Sequence, residues 1–260
     1  MFFVATDLDG TLLTSDRLVT ERAKSALKKV RSSGGVVVLV TARPLRDAIA
    51  IGQEVAADFL VCSGGAVLYD PVRGELVHAT TLGARRATDL MALLRQTFPG
   101  IRLGVDHLDR CDLDPGFHVG APGVADRHAP QPLRHIAEPA VKLIAQSDEL
   151  PVDRLAQAIR ALAGPSYSVA VPCSFFVDVL PAGVHKAAGL AELRGRHDRV
   201  LRSVAFGDMP SDLPMLRWAD IAVATANAHP AVLAVCDHVT AHHDADGVAV
   251  FLESLISTGG

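Results

Sequence analysis

The sequence predicts an α/β protein with a doubly wound, mostly parallel sheet that is interrupted by an inserted α+β segment. The first sixty residues alternate strand, helix, strand, helix, strand, which is the pattern of a doubly wound sheet. From about residue 82 the order becomes irregular α+β, and after Pro181 the alternation resumes. We therefore expect one parallel-sheet domain of residues 1–81 and 182–260, interrupted by an inserted second domain of residues 82–181.

The N-terminal elements follow from apolar runs and the residues that flank them. Phe2–Thr6 is a short apolar run that predicts a buried strand. Thr20 can cap a helix that ends at Gly34-Gly35. Val36–Val40 is entirely aliphatic and predicts a strand buried on both faces, as in a parallel sheet covered by helices. The other elements expected here are a helix opened by Pro44, a strand at Asp58–Cys62, and a hairpin of Ala66–Tyr69 with Glu75–His78.

The later elements are predicted from the same periodicities. In the insertion we expect helices at Ala84–Phe98 and Val152–Leu162, and strands at Ile101–Val105, Val141–Ala145, Tyr167–Val171 and Phe175–Leu180. Asp106–Pro139, rich in proline, histidine and aspartate, fits no element. After the insertion we expect helices at Lys186–Leu193, Asp212–Trp218 and Val248–Ile256, and strands at Ser203–Phe206, Ile221–Ala224 and His238–Thr240.

Composition excludes several classes of protein. The 260 residues carry 25 Lys and Arg against 29 Asp and Glu, so the formal charge of −4 gives no strong field toward nucleic acid or an anionic membrane. Four widely spaced cysteines form no CxxC pair and are expected to be reduced thiols. The N-terminus lacks the pattern of a signal peptide, and the aliphatic run at Val36–Val40 is too short to span a membrane. We expect a soluble, cytoplasmic protein.

Acidic residues follow two of the predicted strands. Asp7 and Asp9 come after the first strand, and Asp208 and Asp212 come after the strand that ends at Phe206. In an open α/β sheet, ligands bind at the carboxyl ends of the strands, so these distant segments are expected to converge there. Four carboxylates in one crevice repel one another unless a cation lies between them. An all-oxygen, water-sharing site suits Mg²⁺.

Thr41 and Lys186, together with these carboxylates, indicate a particular reaction. Thr41 ends the second strand, and Lys186 opens the helix after the insertion. A carboxylate can attack phosphorus to form an aspartyl-phosphate, while Mg²⁺, a lysine and a hydroxyl neutralise and orient the phosphoryl oxygens. A second carboxylate can move protons. The residues therefore predict phosphoryl transfer.

These residues resemble the motifs of a known family. Asp7-Leu-Asp-Gly-Thr-Leu-Leu13 is similar to the first motif of the haloacid dehalogenase superfamily, Thr41 to the second, Lys186 to the third, and Gly207-Asp208-Met-Pro-Ser-Asp212 to the fourth. The insertion between the second and third motifs resembles the C2-type cap of the Cof-type phosphatases. That resemblance implies Mg²⁺-dependent hydrolysis of small phosphomonoesters, such as sugar phosphates or phosphorylated cofactors.

The resemblance also implies a role for each residue. Asp7 would be the nucleophile and a Mg²⁺ ligand, and Asp9 the general acid and base, with its main-chain carbonyl on the metal. Asp208 would ligate Mg²⁺, and Asp212 would support it directly or through water. The expected catalytic residues are Asp7, Asp9, Thr41 and Lys186, and the expected substrate-binding residues are Thr41, Ala42, Arg43, Lys186 and Ser211.

The chain departs from the family pattern at three positions. Ala42 stands where the second motif usually has glycine, and Gly64 and Ser211 stand where asparagine is frequent. No proposed catalytic group is lost. The change at Ala42 is mild. The two losses of asparagine bear on substrate orientation and rate, because a serine hydroxyl reaches less far than an amide.

Structural interpretations of the same residues stay open. Asp7 to Gly10 is also typical of a turn, Lys186 of a solvated helix and Asp212 of a helix cap. Thr41 also suits a strand, and Arg43 a surface charge. His242-His243-Asp244 suggests a metal site, but adjacent side chains on a strand point to opposite faces, which favours a solvated loop.

Three other functions remain as alternatives. A phosphosugar mutase or phosphotransferase would need a cap that holds an acceptor hydroxyl. A phosphoacceptor switch resembling a receiver domain uses similar residues, although its acceptor aspartate follows a later strand, where this chain has Cys62-Ser63. A regulatory protein could keep the fold and have lost turnover.

Overall fold

The computed structural model describes residues 1–118, 126–196 and 202–258. Its N-terminal part forms the elements that the sequence predicts. Helix α1 begins where Thr20 accepts a hydrogen bond from the main-chain N–H of Ala23 at 3.1 Å, and it is followed by Gly34 at a φ of +80°. The elements are β1 (Phe2–Thr6), α1 (Glu21–Ser32), β2 (Val36–Val40), α2 (Leu45–Glu54), β3 (Phe59–Cys62), β4 (Val67–Asp70) and β5 (Glu75–Ala79).

The middle of the chain forms a second α+β unit. Its elements are α3 (Ala84–Thr97), β6 (Arg102–Asp106), β7 (Cys111–Leu113), β8 (Asp126–His128), β9 (Lys142–Gln146), α4 (Val152–Ala163), β10 (Tyr167–Ala170) and β11 (Val177–Pro181). Strands β7 and β8 lie in the segment for which the sequence predicts no element. Residues 119–125 of that segment lie outside the described residues.

The C-terminal part returns to strands and helices in alternation. Its elements are α5 (Lys186–Arg194), β12 (Arg202–Gly207), α6 (Leu213–Trp218), β13 (Ile221–Ala224), α7 (Pro230–Leu233), β14 (His238–Val239) and α8 (Gly247–Thr258). The short helix α7 was not expected, because its four residues are too few to show a helical period.

Within the described residues, eight strands form the larger sheet in the order β14-β13-β12-β1-β2-β3-β4-β5. The strands from β14 to β3 are parallel, and β4 and β5 add the predicted antiparallel hairpin. Apolar residues of α1 and α8 cover one face, and those of α5 and α6 cover the other. The α/β, doubly wound fold is confirmed. Since β1 lies between β2 and β12, the residues after these three strands become neighbours.

The smaller sheet has the order β10-β11-β9-β6-β7-β8 in the part of the chain that the structure describes. One face packs on α3 and α4 through residues such as Leu103, Leu143 and Val179. Because side chains alternate along a strand, Lys142, Ile144 and Asp178 face the other way. That second face lies over the carboxyl edge of the larger sheet. Its residue Lys142 contacts this edge by a hydrogen bond to the carbonyl of Ala42.

Two further expectations concern the state of the cysteines and the presence of membrane-spanning helices. All four cysteines are free, as the sequence predicts for reduced thiols. None of the described helices has both the length and the apolar character that crossing a membrane requires.

Candidate active site

Asp7 is placed by the chain leaving β1. Its main-chain N–H continues the sheet by donating to the carbonyl of Phe206 at 3.0 Å, and the carboxylate is buried. The chain then turns tightly over Leu8–Leu12, where Gly10 has a φ of +74°. A Cβ atom on Gly10 would overlap the carboxylate of Asp208. This glycine therefore lets the loop after β1 approach the loop after β12.

Three of the four predicted carboxylates come together at this edge. One oxygen each from Asp7, Asp208 and Asp212 lies within 4.8 Å of the others. Lys186, only 2% exposed, bridges two of them: its Nζ donates to Asp7 Oδ1 at 2.7 Å and to Asp212 Oδ1 at 2.5 Å. The structure therefore brings Lys186 into the carboxylate cluster rather than to the solvent.

The start of α5 requires Gly65 opposite it. Gly65 has a φ of +112°, and a Cβ atom there would overlap the carbonyl of His185. The loop after β3 can thus touch the helix that carries Lys186. Gly65, which follows the departing residue Gly64, therefore has a structural role in seating this lysine.

Two residues hold Asp208 and its loop in place. Thr11 donates from Oγ1 to Asp208 Oδ1 at 2.8 Å. Asp212 Oδ2 accepts the main-chain N–H groups of Asp208 at 3.0 Å and Met209 at 2.9 Å. Asp212 thus organises its own loop, and both of its oxygens already accept hydrogen bonds. Thr11 was not predicted as a site residue from the sequence, although it lies in the first motif.

The cluster holds more carboxyl groups than cations. Burial raises the pKa of Asp7 well above its usual range; Lys186 opposes this, and Asp212 and Asp208 add to it. Burial and the charge of Asp212 raise the pKa of Asp208 to about 7. Burial would lower the pKa of Lys186, but Asp212 and Asp7 outweigh it and the pKa is raised. Three carboxylates face one ammonium group, and this all-oxygen set fits a hard divalent cation such as Mg²⁺.

The Asp9 carboxylate lies outside this cluster. Its side chain is 53% exposed and accepts two hydrogen bonds from Arg43, from Nε at 2.7 Å and Nη2 at 2.5 Å. The predicted metal contact of Asp9 concerns its main-chain oxygen and stays a prediction. For Arg43, the pairing with Asp9 is an arrangement that the sequence did not suggest.

The loop Thr41–Arg43 has almost all of its polar groups bound by protein. The N–H of Thr41 donates to Val61 at 2.8 Å, and its carbonyl accepts from Gly64 at 3.0 Å. Thr41 Oγ1 accepts the N–H of Arg43 at 3.0 Å, which leaves the hydroxyl proton to donate elsewhere. Within the described residues, the N–H of Ala42 and this hydroxyl proton have no hydrogen-bond acceptor. Two donors thus remain for an anionic group at the end of β2, the strand that pairs with β1.

Ser211 lies in the short turn Pro210–Asp212 and is half-buried. This turn carries Asp212, which belongs to the carboxylate cluster. Ser211 thus lies next to Asp212 in this turn, and its contact with a substrate stays a prediction.

Residues near the C-terminus support the loop after β1. Asn227 Nδ2 donates to the carbonyl of Gly10 at 2.8 Å. His243 Nδ1 hydrogen-bonds the carbonyl of Leu13 at 2.8 Å, and Asp244 accepts from the N–H and the hydroxyl of Ser15, each at 2.7 Å. Single ligand atoms of His242, His243 and Asp244 also lie within 4.8 Å of one another. The bonds of His243 and Asp244 to the loop give these residues a structural use without a metal.

A cavity of about 450 Å³ lies between the two sheets. Asp9, Arg43 and Arg46 line it from the larger sheet, and Lys142 and Phe176 are among the lining residues of the smaller one. Its volume is typical of a pocket for a small molecule.

Comparison with known proteins agrees with this geometry. Residues 4–110 and 124–252 match the family described as haloacid dehalogenase-like hydrolase. The HMP-PP phosphatase of Cronobacter sakazakii is 29% identical over 95% of this chain and 93% of its own length. The pyridoxal phosphate phosphatase YbhA of Escherichia coli is 25% identical, over 96% and 97%. The crystal structure of SMU.1108c from Streptococcus mutans has the same fold, with a TM-score of 0.84, 20% identity and coverage of 98% of each chain.

Proposed function

Because this chain belongs to the haloacid dehalogenase-like hydrolases, we propose that it hydrolyses a small phosphomonoester with Mg²⁺, through an aspartyl-phosphate on Asp7. Relatives that match along nearly the whole chain are phosphatases, and this chain is a hydrolase of phosphomonoesters. One observation carries the finer proposal. A single buried lysine bridges Asp7 and Asp212, with Asp208 alongside. The same edge of the sheet carries the loop Thr41–Arg43, two of whose donors have no acceptor within the described residues.

The proposed metal site uses Asp7, Asp208 and the main-chain oxygen of Asp9. Asp212 supports the site indirectly, since both of its oxygens already accept hydrogen bonds from Lys186, Asp208 and Met209. When bound, Mg²⁺ supplies positive charge that neutralises the phosphoryl oxygens. Without it, the raised pKa values of Asp7 and Asp208 show that the cluster resists ionisation.

The residues of the chain perform the remaining chemistry. Asp7 attacks phosphorus, and the bond to the leaving alkoxide breaks. Thr41, the N–H of Ala42 and Lys186 bind the phosphoryl oxygens, which places donors where charge develops. Asp9 protonates the alkoxide and then takes a proton from a water that attacks the phosphorus of the Asp7 phosphate. The P–O bond to Asp7 breaks in this step, so that inorganic phosphate leaves and the Asp7 carboxylate is restored. Asp9 lines the cavity, which supports this assignment.

We also propose that residues 82–181 act as a cap over a core of residues 1–81 and 182–260. The smaller sheet consists of β6–β11, all within the inserted range, and its polar face borders the cavity. The relatives named for HMP-PP and pyridoxal phosphate favour a phosphorylated cofactor or a related metabolite as the substrate. The cytoplasmic location stays a prediction from the sequence.

A screen of phosphorylated metabolites tests this function. We expect Mg²⁺-dependent release of inorganic phosphate, its loss in excess EDTA, and no turnover by Asp7→Asn with an unchanged circular dichroism spectrum. Full activity in EDTA, or an active Asp7→Asn variant, would contradict the proposal. Adding a sugar acceptor separates hydrolysis from phosphoryl transfer, because a mutase would pass phosphate to the sugar instead of releasing it.

A further inference from the structure

A buried lysine of the smaller sheet contacts the main chain of the loop Thr41–Arg43, which is named the phosphate loop for its proposed role. Lys142, at the start of β9, is 4% exposed, and its Nζ donates to the carbonyl of Ala42 at 2.9 Å. The same Nζ lies 2.9 Å from both carboxylate oxygens of Asp178, a residue of β11 with no exposed surface. One cation thus joins two strands of the smaller sheet to the loop after β2.

The bound carbonyl belongs to a peptide group that is held at both ends. The Ala42–Arg43 peptide offers its C=O to Lys142, and its N–H donates to Thr41 Oγ1 at 3.0 Å. Because Oγ1 accepts that bond, its own proton remains to donate to a phosphoryl oxygen. Rotation of this peptide would remove the acceptor of Lys142 and the donor to Thr41 together. Lys142 therefore acts on Thr41 through one rigid peptide unit.

A simple ion pair would not need the contact with Ala42. Asp178 alone could pair with Lys142 inside the smaller sheet, and burial of the pair would then stabilise only that sheet. Instead, one donor of the ammonium group is directed across to the larger sheet. A second cation crosses the same boundary in the other direction: Arg46 of α2 binds Asp106 of β6 at 2.8 Å. The boundary is thus held by charged groups on both sides of the phosphate loop.

The lysine stays charged in this setting. Burial lowers the pKa of Lys142, but Asp178 and Asp106 outweigh it, so that the pKa is raised. Charge-assisted hydrogen bonds are stronger than neutral ones, which suits a contact that must hold a peptide orientation.

We propose that Lys142 is a positioning residue of the phosphoryl subsite, which holds the Ala42–Arg43 peptide so that Thr41 donates its hydroxyl proton to the substrate phosphate. The inference rests on the proposed phosphatase function. It gives the cap a second task, since the cap then shapes the binding of the phosphoryl group as well as that of the leaving group. Because coupling between sites is reciprocal, phosphate binding would in turn favour the seated cap.

The test must separate this role from a loss of folding. Lys142→Met alone leaves Asp178 buried without a partner, which is strongly destabilising, whereas replacing both members of a buried pair is tolerated far better. The double variant K142M/D178L therefore removes the contact with Ala42 without leaving a buried charge. Its matched control is Phe176→Leu, which changes the cavity wall at the residue that precedes β11.

Inhibition by orthophosphate is the decisive readout, because this ion has no leaving group for a cap to contact. For K142M/D178L we expect the Ki of orthophosphate to rise about tenfold or more. We also expect kcat/KM to fall by a similar factor for acetyl phosphate and for p-nitrophenyl phosphate. Phe176→Leu should change the ratio of the two substrates and leave the Ki of orthophosphate within about twofold.

Two results would overturn the proposal: an unchanged orthophosphate Ki in the folded double variant, or a loss confined to the larger substrate. If K142M/D178L does not fold, K142Q/D178N carries the same expectation, since glutamine is one atom shorter than lysine. If the wild type releases no phosphate from any ester, the proposed function fails. Orthophosphate affinity by calorimetry then still tests Lys142, and equal affinities in wild type and variant, or no binding by either, would overturn its role.

Discussion

Replacing Lys186 with methionine should destabilise the metal-free protein strongly. The side chain is 2% exposed, and its ammonium group binds Asp7 and Asp212 while Asp208 lies beside them. Removal leaves buried carboxylates without a cation, and breaking a buried pair in this way costs about 3–5 kcal/mol. For a chain of this size, 1 kcal/mol shifts Tm by about 2–4 °C, so the expected fall is about 6–20 °C in EDTA.

Differential scanning fluorimetry with EDTA and with saturating Mg²⁺ measures this effect. The gap between K186M and the wild type should shrink in Mg²⁺, because the variant presents more uncompensated negative charge to the ion. Lys24→Met is the control, since Lys24 forms surface ion pairs with Glu21 and Glu54 that contribute little to stability.

The reasoning would be refuted by a K186M variant whose Tm in EDTA equals that of K24M. A gap that stays the same on adding Mg²⁺ would refute the link between the lysine and the proposed metal site. With saturating Mg²⁺, turnover should be lost in K186M, and retained turnover would remove the lysine from phosphoryl binding.

Three further predictions concern the same cluster. The pKa of Asp208 is about 7 in the metal-free fold against an ordinary 3.8. Between these pH values the folded protein binds a proton that the unfolded chain does not, so the stability that this proton contributes is lost as the pH rises through 7. Mg²⁺ needs the ionised carboxylate, so the gain in Tm on adding Mg²⁺ should grow from about pH 5.5 to 8; a gain that does not change with pH would contradict this. Thr11→Val removes the hydrogen bond to Asp208 and should lower the affinity for Mg²⁺, measured by calorimetry, about tenfold or more. An unchanged affinity would show that this hydrogen bond is dispensable. Gly65→Ala forces a clash with the carbonyl of His185 and should lower both Tm and kcat, whereas wild-type kcat would contradict its role in seating Lys186.

Much of the fold follows from patterns that are local in the sequence. Val36–Val40 could only be a buried strand, and Thr20 with Gly34 bounds α1 as expected. Strands β7 and β8 are three residues each, too short to show alternation among the prolines and histidines around them. Their place in the smaller sheet comes from pairing with β6 and with each other, which no local pattern reveals.

Site residues could be predicted where a residue of suitable chemistry directly follows a predicted strand. Asp7 and Asp208 follow from that logic, because parallel strands bring their carboxyl ends to one edge. Lys186 opens a helix after the insertion, and it was predicted through its place among the four motifs. The pairing of Asp9 with Arg43 was not predictable, since it depends on side-chain conformations in loops. Lys142 escaped notice for a similar reason: a single lysine in an apolar strand shows nothing of the Ala42 carbonyl one hundred residues away.

The central claim is that Asp7 takes the phosphoryl group from the substrate. Rapid mixing with a turned-over phosphomonoester, acid quenching and borohydride reduction would convert an aspartyl-phosphate to homoserine, which peptide mass spectrometry locates. We predict homoserine at position 7 in the wild-type protein with Mg²⁺, and none with EDTA or in Asp7→Asn. Homoserine at another aspartate, or full turnover with no modified peptide at any time point, would contradict the account.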